Sequence, residues 1–150
     1  MELLTERLRL RPWTEADLEA LHRIWSDPRT IWWGPSDSLE HTRTLMQRVL
    51  QQQSWWGVER EGEIIGDVFL RPSPHHEGML ELGYHFVSSS WGQGYATEAV
   101  RAVLTTRDGK PVEATIVPDN ERSRSVARKL GFVIVGQLMH EDRLHDLWRL

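Results

Sequence analysis

The sequence predicts a mixed α/β domain: a twisted sheet of six to seven strands flanked by four helices, in the order β-α-α-β-β-β-α-β-α-β-β. Three observations predict it. The 150 residues lie near the commonest domain size, enough for one core, so residues 1–150 read as a single domain. Segments of period two alternate with segments of period 3.6 along the chain. The middle third carries three strand-like runs joined by short turns, which implies an antiparallel meander.

Arg7-Leu8-Arg9-Leu10-Arg11 alternates as a half-buried strand does, and Pro12 ends it. Thr14 to Asp17 reads as a capping box opening a helix with Leu18, Leu21 and Trp25 on one face, stopped near Asp27-Pro28. A second helix follows Ser38, striped by Leu45, Met46, Val49 and Leu50, and Trp32-Trp33-Gly34-Pro35 connects the two. The meander strands are Trp55 to Glu59, Ile64 to Leu70 and Met79 to Val87. After the loop Ser88 to Gly94, a helix starts at Tyr95 and ends before Asp108-Gly109. Val112 to Val117 is a strand, Asn120 to Leu130 a helix closed by Gly131, and Phe132 to Val135 and Arg143 to Leu150 are the last strands.

Composition removes several function classes. A net charge of -4 argues against a nucleic-acid or anionic-membrane partner held by bulk charge. With no Cys there is no disulfide framework, thiolate metal site or cysteine nucleophile. No apolar run approaches the roughly 18 residues of a membrane span, and the start lacks a basic, then apolar, leader, so a cytoplasmic protein is expected. His75-His76 adjoin in a loop, and His140 and His145, five apart in one strand, would face opposite ways; no metal site is expected. Ser88-Ser89-Ser90 lacks the setting of a serine nucleophile.

The segment Trp91-Gly92-Gln93-Gly94-Tyr95-Ala96-Thr97-Glu98 places small residues between a strand and a helix. Backbone N–H groups can converge on an anion there, and the helix start aims its dipole at the same place. A Rossmann site is not indicated, because the loop comes late and lacks a third glycine. A P-loop ATP site would want a G-K-[ST] lysine, which is absent. Downstream, Asn120 to Phe132 has the pattern N-x-x-S-x-x-V-x-x-K-L-G-F.

Together, W-G-Q-G-Y-A-T-E-A, this later helix, Thr5 to Arg11 and Glu81-Leu82-Gly83-Tyr84 resemble the GNAT acetyltransferase superfamily, most closely its RimJ/RimL type. The resemblance covers essentially the whole chain. It implies a GNAT-like fold and acetyl-CoA as co-substrate, bound by Phe86, Val87, Trp91, Gly92, Gln93, Gly94, Tyr95, Ala96, Thr97, Asn120, Ser123 and Lys129, with Arg128 an alternative phosphate contact. The strand Met79 to Val87 should splay from its neighbour to admit the pantetheine arm. An amine acceptor is implied, either a protein N-terminus or a small molecule, beside Trp32, Trp33 and Trp56, with His76 nearby.

Three departures matter. Trp91 stands where the superfamily usually has Gln or Arg. The stretch from Thr97 to Val112 is about one turn short, which bears on the adenine side. The tyrosine that protonates the leaving thiolate in many relatives is replaced by Ala127, leaving Ser123 as the nearest hydroxyl. For the base, Glu81 is the first choice and His85, on the same strand face, the second. The competing reading is an acetyl-CoA-binding sensor or partner domain without turnover. The last strand could pair across a homodimer.

Overall fold

The computed structural model describes residues 1–31 and 33–150; Trp32 lies outside the described residues. Eight strands form one sheet in the order β1-β2-β3-β4-β5-β6-β8-β7. β1 (Leu3–Leu4) and β2 (Arg9–Pro12) form an edge hairpin, and β3 (Trp55–Arg60), β4 (Glu63–Pro72) and β5 (Leu80–Phe86) are the expected meander. β6 (Val112–Ile116) pairs parallel to β5, and β8 (Arg143–Arg149) inserts between β6 and β7 (Val133–His140).

Two elements differ from expectation. The opening strand begins at Arg9, because Thr5 N–H donates to the Leu8 carbonyl (2.9 Å) and folds residues 5–8 into a turn, with β1 before it. Two residues are too few for a period-two signal. β7 runs on to His140 and turns into β8 through Glu141 and Asp142, both at positive φ (50° and 60°), a hairpin turn without the glycine that usually announces one. Across that hairpin His140 and His145 are diagonal neighbours with ring centroids 5.2 Å apart. They share a face, against the expectation drawn from a single continuous strand.

The helices cover both faces of the sheet. α1 (Leu18–Trp25) follows a short 3₁₀ turn held by the Thr14 N–H donating to the Asp17 carboxylate (2.9 Å). With α2 (Leu39–Leu50) it packs Leu21, Ile24, Met46 and Val49 against Trp55, Ile64 and Phe69. On the other face α3 (Tyr95–Leu104) and α4 (Glu121–Lys129) bury Ala99, Val100, Val103 and Ala127 on Val58, Val68, Leu82 and Phe86. Along β4 and β5 successive side chains therefore enter different cores, and the odd-numbered residues of β5, Glu81, Gly83 and His85, face the α1–α2 side.

Candidate active site

The site begins where the sheet comes apart. β5 and β6 pair only at Leu80 with Val112 and Glu81 with Glu113, then diverge. Val87 N–H donates to the Ile65 carbonyl on the β4 side, and Leu80 N–H to the Pro111 carbonyl on the β6 side, each at 2.9 Å. Peptide groups alternate sides along a strand, so beyond the last pair the polar groups of Tyr84 and Phe86 point into the gap. A cleft of about 620 Å³ opens there, bounded by β5, β6, the residue 90–97 loop and α4.

One end of the cleft gathers free backbone N–H groups and a cation, a setting that can hold an anion. Gly92 and Gly94 take φ of 76° and 80°, a left-handed conformation that glycine reaches without strain. The chain enters α3 directly from Gly94, leaving the first-turn N–H groups of Tyr95, Ala96 and Thr97 without intrahelical partners. Glu98 fastens this turn from outside by accepting from Thr5 Oγ1, Arg7 N–H and Arg7 Nε at 2.8, 2.8 and 2.7 Å. Arg122, on the first turn of α4, lays its guanidinium 3.3 Å from the Trp91 ring centroid and has no carboxylate partner among the described residues. Burial lowers its pKa, so a phosphate nearby would find a poorly hydrated cation. Trp91 is itself fixed by its indole N–H donating to the Phe86 carbonyl (2.9 Å). These groups fit a diphosphate and the extended arm of CoA.

The α1–α2 side of the cleft is aromatic. Asp67, fully buried, accepts from Trp25 Nε1 (3.0 Å), Trp55 Nε1 (3.1 Å) and His85 Nδ1 (3.0 Å). An ionised carboxylate only accepts, so His85 carries its proton on Nδ1 and turns Nε2 out as a proton acceptor. The imidazole is packed between Trp25 and Trp33, centroids 5.0 and 5.6 Å away. Phe69 lies across β5 over Gly83, where any side chain would overlap its ring, and separates His85 from Glu81. Glu81 is buried and bound through one oxygen to both Nε and Nη2 of Arg71, each at 2.9 Å.

Most of the residues singled out in the sequence line this one cleft: Glu81, His85, Phe86, Trp91, Gly92, Gly94, Tyr95, Ala96, Thr97, Asn120, Ser123, Lys129 and Trp33. Asn120 spends its side-chain oxygen capping α4, accepting from Ser123 N–H at 3.2 Å. Five of the residues singled out in the sequence are placed or committed elsewhere. Val87 has its N–H committed to Ile65 and packs beneath the α1–α2 core. Gln93 turns outward, its carbonyl accepting from Arg7 and its side chain bridging the Ser89 carbonyl and the Tyr95 hydroxyl. Trp56 is 2 % exposed in the α3–α4 core, with its indole N–H donating to the Met1 carbonyl. His76 is tied to Glu113 and Arg128 to Glu121, each at 2.9 Å, and neither His76 nor Arg128 lines the cleft. Tyr84, missed in the sequence, reaches from β5 to donate its hydroxyl to the Ser123 carbonyl (3.0 Å), and burial raises its pKa above the usual phenol value. Asp67 was equally unassigned, although a lone carboxylate in the apolar run Ile64 to Leu70 was its signal.

A family model described as "Acetyltransferase (GNAT) domain" matches residues 7–133. The chain belongs to the GNAT acetyltransferase family. Among sequence relatives, the uncharacterized protein YkkB of Bacillus subtilis is 32% identical, with 87% of this chain and 84% of that protein covered. The spermidine N(1)-acetyltransferase of Escherichia coli K12 is 26% identical over 95% of this chain and 81% of its own length. The crystal structure of a GNAT-family acetyltransferase from Bacillus anthracis superposes with a TM-score of 0.86 at 24% identity, covering 99% of this chain and 96% of that one. The GNAT fold explains why the cleft falls between two parallel strands: their divergence exposes strand backbone that would otherwise be paired. Among the described residues no group of three or more His, Asp or Glu is placed to hold a metal, and no helix is long and apolar enough to cross a membrane.

Proposed function

We propose that residues 1–150 act as one acetyl-CoA-dependent N-acetyltransferase domain that acetylates a primary amine by direct attack on the thioester. The observation that carries this reading is the divergence of β5 from β6 between an anion-binding turn and an oriented imidazole. Within the family, the RimJ/RimL-type resemblance rests on the Trp91–Thr97 turn and the Asn120–Phe132 helix.

Each residue takes a task. The α3 N-terminus, the residue 92–97 turn and Arg122 hold the diphosphate, with Lys129 able to meet a further phosphate. Backbone at Tyr84 and Phe86 aligns the pantetheine arm, and the Phe86 N–H polarises the thioester carbonyl. His85 is the base, in preference to Glu81, because Glu81 is bound to Arg71 while His85 presents an aligned Nε2. It removes one proton from the acceptor ammonium. The freed lone pair forms the C–N bond, the C–S bond breaks, and a second nitrogen proton passes to the departing sulfur. We assign that relay to Ser123, which lines the cleft on the first turn of α4. The products are an acetamide, CoA thiol and a released proton. A binding-only domain would not need an imidazole held by a buried carboxylate.

The test is acetyl transfer from acetyl-CoA to an amine panel, comparing wild type with His85→Gln and Glu81→Gln. The expected result is a fall in kcat of about 10²-fold or more for His85→Gln with the acetyl-CoA KM retained. Equal turnover and an unchanged pH profile in His85→Gln would overturn the base assignment. Cofactor binding without transfer to any amine would establish the sensor reading instead.

A further inference from the structure

The acceptor end of the cleft has an unusual charge balance for a domain of net charge -4. Asp67 already accepts three N–H donors, and Glu81 is spent on Arg71. Arg71, stacked 4.5 Å from the centroid of Phe69, is in turn neutralised by Glu81, so the wall presents an ion pair and not a lone charge. The remaining surface is aromatic, with Trp55 and Phe69 in contact at 5.0 Å and Trp33 left 38% exposed beside His85. Glu121 is bound by Arg128 on α4, and Glu141 sits at the tip of the β7–β8 hairpin.

Resting on the acetyltransferase reading, we infer that the acceptor is a monoamine whose ammonium is its single positive charge, carried on an aromatic or branched apolar skeleton. Such a molecule covers Trp33, Trp55 and Phe69 with apolar surface while its amine meets His85. Its own cation is attracted by the indole faces until the proton leaves. A polycation fares differently. A second ammonium along this wall loses hydration against aromatic faces and an Arg71–Glu81 pair that is already neutral, with no carboxylate among the described residues of the wall left for it alone. Selection therefore comes from Trp33 and Phe69 by contact and from the uncompensated desolvation of a second ammonium. A carboxylate or carbonyl oxygen at the far end of the acceptor is compatible with Arg71.

The experiment pairs turnover with binding. Steady-state acetylation is measured with 2-phenylethylamine, spermidine and kanamycin, and binding of the same three amines to the CoA-loaded protein is measured by calorimetry. The arylalkylamine is expected to exceed spermidine and kanamycin by about tenfold or more in kcat/KM and in affinity. Trp33→Ala should raise its KM about tenfold, leaving the acetyl-CoA KM in place, and Arg71→Gln should narrow the gap to spermidine. Spermidine or kanamycin binding and reacting as well as the arylalkylamine would overturn the inference while the acetyltransferase reading stands. Preferential arylalkylamine binding with no transfer would support the pocket chemistry and overturn the enzyme reading.

Discussion

Replacing Asp67 by Asn separates the structural and chemical roles of the buried carboxylate. The isosteric amide keeps the volume, so no cavity forms. Its oxygen can occupy the Oδ1 position, where it still accepts from Trp55 Nε1 and His85 Nδ1. The amide nitrogen then faces Trp25 Nε1, so two donors meet across 3.0 Å. The flipped amide is worse, since it opposes two donors. A buried donor left unpaired costs about 1–3 kcal/mol, and bonds to a neutral acceptor are weaker than bonds to a charged one by about 1 kcal/mol. Removing a buried charge returns part of that sum. The net expectation is about 2 kcal/mol of lost stability, read as a melting point lower by about 4–8 °C in a chain of this size. The chemistry suffers separately. His85 keeps its tautomer, but the imidazolium formed as it takes the substrate proton no longer has a counter-charge at 3.0 Å. A loss of about 2 kcal/mol at that step lowers kcat about 30-fold. The assay is steady-state acetylation beside a thermal melt, well below the melting point, with the acetyl-CoA KM as internal control. A variant that melts lower yet keeps kcat within about threefold would show that Asp67 only packs the wall, and the dyad reasoning would fail.

Arg122→Gln should weaken CoA and dephospho-CoA binding by about 10-fold or more and leave pantetheine binding unchanged, because Arg122 faces the turn without a carboxylate partner; loss confined to CoA would move the contact to the 3′-phosphate, and no loss would exclude a phosphate role. Acid stability should fall in two windows. His140 is held below its ordinary value chiefly by burial, with His145 and then His75 adding to the effect against Glu81 and Glu141. The unfolded chain therefore takes up that proton first, and stability declines as pH drops below about 6.5. Burial opposes ionisation of Glu113 but is outweighed by Ser73, His76 and Arg149, so its folded value is lowered; the stability it contributes is present above about 4.5 and lost as pH falls through the folded value. Urea titrations from pH 8 to 3 check both, and His140→Gln should remove the upper window only.

The fold was legible because its signals are local. The capping box at Thr14, the stripes of α1 and α2, the meander turns and the left-handed Gly131 after α4 each act over a few residues, and each is found where the pattern predicts. The turn from Gly92 into α3 was legible for the same reason, since two glycines and a helix start are a contiguous feature. The acceptor wall was not. Trp55 and Trp56 are chemically identical neighbours, and only strand phase decides that the first faces Asp67 and the second the opposite core. Phase also decides between Phe86 and Val87, one turning its peptide into the gap and the other bonding Ile65. Fixing phase needs the register with β4, which pairs Asp67 opposite His85 and so assembles the dyad from residues 18 apart. Arg122 illustrates the other limit. In a helix rich in arginine, Arg124 and Arg128 are neutralised by Asp146 and Glu121, and only the packing of α4 onto Trp91 singles out Arg122 as the cation without a carboxylate partner among the described residues. What tertiary structure adds is the pairing state of each charge, because a paired arginine and an unpaired one have the same letter.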